Sequence, residues 1–153
     1  MAVTGLVKTI KTDYPSITLR SAKSFLWIPQ ENTVEYDPSG DTAYLLHELG
    51  HALLHHDSYS HDIELLSIER AAWTYATSHL ADKYNVDIPS ELIEESLDTY
   101  REWMHARSTC PVCHLNGIQS GPRLYRCVSC SATWSVNEAR GCNLRRHTQS
   151  NHK

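Results

Sequence analysis

The chain has 153 residues, 41% hydrophobic and 21% charged, enough for one compact domain and a small appendage. No apolar run reaches membrane-spanning length, and no charged n-region precedes an apolar stretch, so the reading is a soluble cytoplasmic chain without membrane contact. The formal net charge of −4 is unevenly placed: residues 1–100 carry six Lys/Arg against sixteen Asp/Glu, and residues 101–153 carry eight against two. That shift predicts an acidic body over residues 1–107 and a basic tail module over 108–153.

Residues 2–14 read as a first helix, with Leu6, Val7, Ile10 and Tyr14 on one side and Pro15 ending it. Ile17 and Leu19 suit a short strand. The run Ser24-Phe25-Leu26-Trp27-Ile28 and the alternating Thr33-Val34-Glu35-Tyr36 suit two more, joined by turn residues 29–32 as a small antiparallel hairpin or meander. An edge strand here could hold an extended peptide by strand addition, or the strands could only close the core. Ser39 or Asp41 can cap the next helix, expected over 41–56.

That helix carries Leu46-His47-Glu48-Leu49-Gly50-His51-Ala52-Leu53-Leu54, an HExxH motif in an apolar run. Histidines four apart share one helix face and can reach one ion. Zinc suits two imidazoles, a third protein ligand and one open position, with Glu48 placed to act as general base. The competing reading is a core helix with two satisfied histidines. Against it, Glu48 sits in a largely apolar helix, where an unpaired carboxylate is costly.

Beyond the motif lie His55, His56, Asp57 and His61, which read as solvated residues at a helix C-terminus. Asp57 stands six residues after His51, a spacing some zincins use for a third ligand. The midway residue is Leu54 rather than Gly, so the helix should continue and carry Asp57 away. The helix expected over 62–84 offers a better candidate. Leu65, Ala72, Trp73, Ala76 and Leu80 form an apolar stripe with Glu69 near its centre, whereas Glu64 falls to the solvent side. A carboxylate on a buried face needs a partner: a metal, a salt bridge, or a histidine that itself holds the metal.

The segments His47 to His56 and Glu69-Arg70-Ala71-Ala72-Trp73-Thr74-Tyr75-Ala76 resemble the ImmA/IrrE family of zinc metallopeptidases. Glu69, Ala72, Tyr75 and Ala76 match the pattern of that family's second helix, and Trp73 stands where the family usually has Asn. The stretch Ala81 to Pro89 is similar to the family's link into a following helix, and the Met-Pro that often closes the second helix is absent. The resemblance covers roughly residues 25–105 and implies an α+β, zincin-like (gluzincin) domain with a short antiparallel sheet. It implies His47, His51 and Glu69 as zinc ligands, Glu48 as base, and a helix-turn-helix repressor as protein substrate. Tyr75, His79 and Tyr44 are candidates for stabilising the oxyanion. A third helix, about 91–107, presents Leu92, Ile93, Leu97, Tyr100 and Met104 for packing against the catalytic helices.

The tail contains Cys110-Pro-Val-Cys113 and Cys127-Val-Ser-Cys130, bracketing thirteen residues. Two CxxC knuckles predict a closed tetrahedral site in a zinc-ribbon-like module that could hardly fold without its metal. Tyr125 and Trp134 can cover it. A Cys2His2 finger from Cys127, Cys130, His147 and His152 competes, with a longer gap than usual, and would strand Cys110 and Cys113. Cys142 reads as a free thiol and residues 143–153 as a short basic helix or disordered end. The chain is thus expected to hold two zinc ions, one catalytic and one structural. The basic tail could meet nucleic acid or an acidic protein face. Two other functions stay open: an SprT-like protease acting on DNA-bound proteins, which usually takes a third histidine, and a non-catalytic regulator that binds DNA or protein.

Overall fold

The computed structural model describes residues 2–138 and 144–149. They form two compact units: Met1–Ser58 with Ser67–Glu94, and Tyr59–Leu66 with Glu95–Lys153.

In the first unit, α1 (Val3–Asp13) buries Val3, Leu6, Val7 and Ile10, the i, i+3, i+4, i+7 positions of one helical face. Strands β1 (Thr18–Ser21), β2 (Leu26–Ile28) and β3 (Thr33–Tyr36) form a sheet in the order β1-β3-β2. β2 and β3 are antiparallel, as the hairpin reading expected, with Trp27 opposite Val34. β1, however, lies parallel to β3, with Leu19 opposite Val34, so the sheet is mixed. Order and direction depend on how the connections cross, which the alternation of residues does not encode. β2 is left as an edge.

α2 (Thr42–Leu53) begins where the Asp41 side chain accepts the Ala43 N–H at 2.8 Å, an N-cap that satisfies one of the free donors of the first turn. Leu45, Leu46 and Leu49 are fully buried and join the α1 residues, Leu19, Val34, Ala76 and Leu80 in one core. The helix stops at Leu53. His55 adopts a left-handed conformation (φ 55°) that turns the chain, so the expected continuation to residue 56 does not occur. Asp57 is exposed.

α3 (Asp62–Tyr75) continues through a π-helical turn, Ala76–Leu80, into α4 (Ala81–Tyr84). The hydroxyls of Thr77 and Ser78 bond to the carbonyls of Trp73 and Thr74 at this widened turn. Asn85, left-handed at φ 52°, ends the run. Every residue of the anticipated stripe, Leu65, Ala72, Trp73, Ala76 and Leu80, is buried, and Glu64 is exposed.

The second unit contains most of α5 (Ser90–Ser108) and an antiparallel sheet of β4 (Ile118–Gly121), β5 (Leu124–Arg126), β6 (Thr133–Val136) and β7 (Arg146–Thr148), paired in chain order. β7 lies within the 143–153 stretch expected as a basic helix or disordered end, of which residues 143 and 150–153 lie outside the described residues. Buried polar contacts explain why Tyr59–Leu66 and much of α5 group with the tail. Arg107 pairs with Asp62 at 2.7 Å, both side chains 3% exposed, and the Tyr125 hydroxyl also donates to Asp62. The Trp134 indole donates to the Arg107 carbonyl at 3.0 Å. Such a buried pair persists only if its remaining hydrogen-bonding capacity is satisfied, which these contacts do. Among the described residues, no helix is long and apolar enough to cross a membrane.

Candidate metal centres

Helical spacing puts His47 and His51 on one face of α2, and α3 brings Glu69 against them. The Nε2 atoms of His47 and His51 stand 3.2 Å apart, and Glu69 Oε2 lies 2.8 Å and 3.3 Å from them. All three residues are buried, at 4%, 5% and 5% exposure. Two ligands of one tetrahedral zinc with bonds near 2.0–2.1 Å stand roughly 3.3 Å apart. The triangle therefore has the size that one ion would span, and the donor set of two imidazoles and a carboxylate suits a divalent transition metal. Burial alone would raise the pKa of Glu69, but hydrogen bonds and charge from both histidines hold its carboxyl well below the usual range.

The helices come this close because of Gly50. A Cβ on that residue would sit 2.8 Å from the Ala72 carbonyl oxygen, closer than side-chain carbons approach, so only glycine lets α3 lie here. Trp73 stacks on the His47 ring at 4.1 Å between centroids and 21° between planes. It thereby covers one wall of the centre. Among the described residues, the Trp73 indole nitrogen and His47 Nδ1 are both buried without a hydrogen-bond partner.

Glu48 follows His47 on α2, close enough to interact electrostatically with His47, His51 and Glu69, and its Oε2 accepts the main-chain N–H of Trp27 at 2.9 Å. Trp27 offers that N–H on the side of β2 away from β3. Burial raises the pKa of Glu48 above its ordinary value, while the histidine charges and the Trp27 N–H oppose the rise. Glu48 is thus a carboxylate with more than usual affinity for a proton, held by one oxygen.

Two residues that the sequence reading left out meet this centre. His56, expected to be solvated, is half-buried, with its Nδ1 2.9 Å from His51 Nδ1. Burial and the neighbouring His51 charge push its pKa below the ordinary value. Trp27 donates its indole N–H to the His56 carbonyl at 2.7 Å. The histidine run after the motif was the available signal for His56; no periodicity pointed to Trp27. Of the oxyanion candidates, Tyr75 and His79 stack on each other at 4.5 Å and line a groove of about 410 Å³ with Leu54 and Arg70. Tyr44 packs edge-on against Trp73.

The second group lies in the tail. Cys110, Cys113, Cys127 and Cys130 bring their sulfurs within 4.8 Å of one another, with Cys110–Cys130 at 3.6 Å and Cys113–Cys127 at 3.4 Å. Thiolates sharing one tetrahedral zinc stand roughly 3.8 Å apart, so this group also fits a single ion. Each knuckle turns a backbone N–H toward its first sulfur, Val112 to Cys110 and Ser129 to Cys127, both at 3.4 Å. The N–H groups of Cys130 and Ser129 lower the Cys127 thiol to about 6, which favours the thiolate a metal needs. His147 lies exposed on β7, opposite Ser135 and outside the group, so the four-cysteine set is the one assembled. His152 and Cys142 lie outside the described residues.

Comparison of the chain with family models, curated proteins and solved structures finds no match in any of the three.

Proposed function

We propose that the chain is a zinc-dependent endopeptidase, with His47, His51 and Glu69 holding the catalytic ion and Glu48 acting as general base. The observation that carries this reading is the buried triangle of two imidazole nitrogens and a carboxylate oxygen on adjacent helices, 2.8–3.3 Å on a side. A zinc ion bound there supplies Lewis acidity, which polarises a carbonyl and makes water a competent nucleophile near neutral pH. The chain does the rest. Trp27 N–H fixes one oxygen of Glu48 and leaves the other to take a proton as water attacks the scissile carbonyl. Glu48 then hands that proton to the leaving amine.

The cysteine group is a structural zinc site in a ribbon-like module. The substrate class is the one the sequence resemblance implies, a helix-turn-helix DNA-binding repressor in the cytoplasm. The test incubates purified chain with such a repressor and follows the fragments by mass spectrometry, with zinc measured per chain. Cleavage by wild type, its loss in Glu48→Gln, and two zinc ions retained in both would support the reading. Cleavage persisting in Glu48→Gln would reject the mechanism. Cleavage that depends on added DNA would move the reading to a protease for DNA-bound proteins. DNA binding without cleavage would move it to a non-catalytic regulator.

A further inference from the structure

We infer that His56 is a positioning residue that fixes the tautomer and ring orientation of His51; this rests on the metal-centre reading above. An imidazole that offers Nε2 as a ligand must carry its proton on Nδ1. His51 Nε2 faces His47 and Glu69, so Nδ1 is its protonated edge, and the atom 2.9 Å away is His56 Nδ1. His51 therefore donates, His56 accepts, and the His56 proton sits on its own Nε2.

The acceptor is itself held. The chain leaves α2 at Leu53, turns through left-handed His55, and returns so that the His56 N–H bonds to the His51 carbonyl at 3.0 Å. The Trp27 indole N–H grips the His56 carbonyl from the edge strand at 2.7 Å. The His56 ring then meets the His51 ring edge-on, at 5.1 Å and 66°. Among the described residues, His47 has no such support on its Nδ1 and is steadied by the Trp73 face instead. The two ligands are thus fixed by different means, one by a hydrogen bond and one by stacking.

The choice of a neutral acceptor has a consequence. Metal-ligating histidines often donate their second N–H to a carboxylate, which adds negative charge beside the ion. Here Glu69 and Glu48 already bring two carboxylates, and an imidazole orients His51 without adding a third.

Cobalt(II) titration of the full chain tests this. The thiolate site is recognised by its sulfur-to-cobalt charge-transfer absorption, and the His-His-Glu site by ligand-field bands that lack it. His56→Phe keeps a ring but removes the acceptor, and should weaken cobalt at the His-His-Glu site ten- to hundredfold, the range for lost outer-shell partners. His56→Asn places an amide oxygen near the Nδ1 position and should restore affinity to within about threefold, with the wild-type ligand-field spectrum. Unchanged cobalt binding in His56→Phe would overturn the inference, as would equal losses in the Phe and Asn variants. Wild-type chain taking up only the thiolate-bound cobalt would instead sink the metal-centre reading, and this inference with it.

Discussion

The two candidate metal-binding groups are built in opposite ways. The His47–His51–Glu69 group sits on α2, which gives Leu45, Leu46, Leu49 and Ala52 to a core of fourteen buried residues, and on α3, whose π-helical continuation gives Ala76 and Leu80; none of the fourteen is a candidate ligand. The cysteine group sits in a core of five, Cys110, Tyr125, Cys127, Trp134 and Val136, of which two are candidate ligands themselves. In the first unit, apolar burial fixes the backbone and the backbone then presents the ligands. In the second, too little apolar surface is buried to hold the strands, and the ligands must do part of the folding. Occupancy of the first group should therefore change chemistry more than shape, and occupancy of the second should change shape.

Metal removal is the strongest way to break that comparison. A chelator, or Cys127→Ser, should abolish hydrogen-exchange protection across β4–β6 and the near-ultraviolet signal of Trp134. Structural zinc in small modules contributes about 10 kcal/mol or more, beyond what the Tyr125–Trp134 stack and the Asp62–Arg107 pair can replace. Protection of α1 and α2 should persist under the same treatment. Equal loss in both units would show that the first group also carries folding energy. His147→Ala should leave the second ion in place, since that side chain stands outside the group.

The contrast also governs what could be read from residues alone. The cysteine group was legible from spacing, because a CxxC knuckle is local and its chemistry needs only its own backbone N–H groups. His47 and His51 were legible for the same reason, four residues being one helical turn. Glu69 required one further step, the 3.6-residue stripe that places it among Ala72, Trp73 and Leu65. Contacts arising from turns were not legible. Leu54 in place of glycine suggested a longer helix, but His55 takes the left-handed conformation itself and so delivers His56 to His51. Nothing local marked Arg107 and Asp62 as partners, and their burial with Tyr125 groups most of α5 with the tail. The parallel pairing of β1 with β3 likewise left no local mark.

Gly50 sharpens the comparison within the first unit at intermediate magnitude. Gly50→Ala places a methyl group against the Ala72 carbonyl, and backbone on both helices cannot yield as a flexible side chain would. Overpacking of this kind costs about 1–3 kcal/mol. Glu69 stands one turn before Ala72 on the same helix, so pushing α3 away should also lower affinity at the His-His-Glu group while cobalt at the cysteine group is unchanged. A variant less stable but with both affinities intact would mean that the helices separate without moving Glu69.

The smallest expected effect is on the charge beside the first group. The proton affinity of Glu48 is raised by burial, so with the His-His-Glu group empty the folded chain binds a proton there more readily than the unfolded chain. Where the folded state holds more protons, stability falls as pH rises, and Glu48 therefore costs stability increasingly above the ordinary carboxylate range near pH 4.5. The cost levels off once pH exceeds the folded-state value. Glu48→Gln removes it while keeping an oxygen for the Trp27 N–H. The variant should match wild type at pH 4 and be the more stable of the two at pH 8, read from hydrogen exchange of α2 amides. A bound divalent ion would favour the carboxylate and shrink that gain, so repeating the measurement with metal present checks the sign independently. A gain that grows toward acid pH would mean that Glu48 is stabilised as the anion in the empty centre, held by the imidazoles rather than opposed by burial.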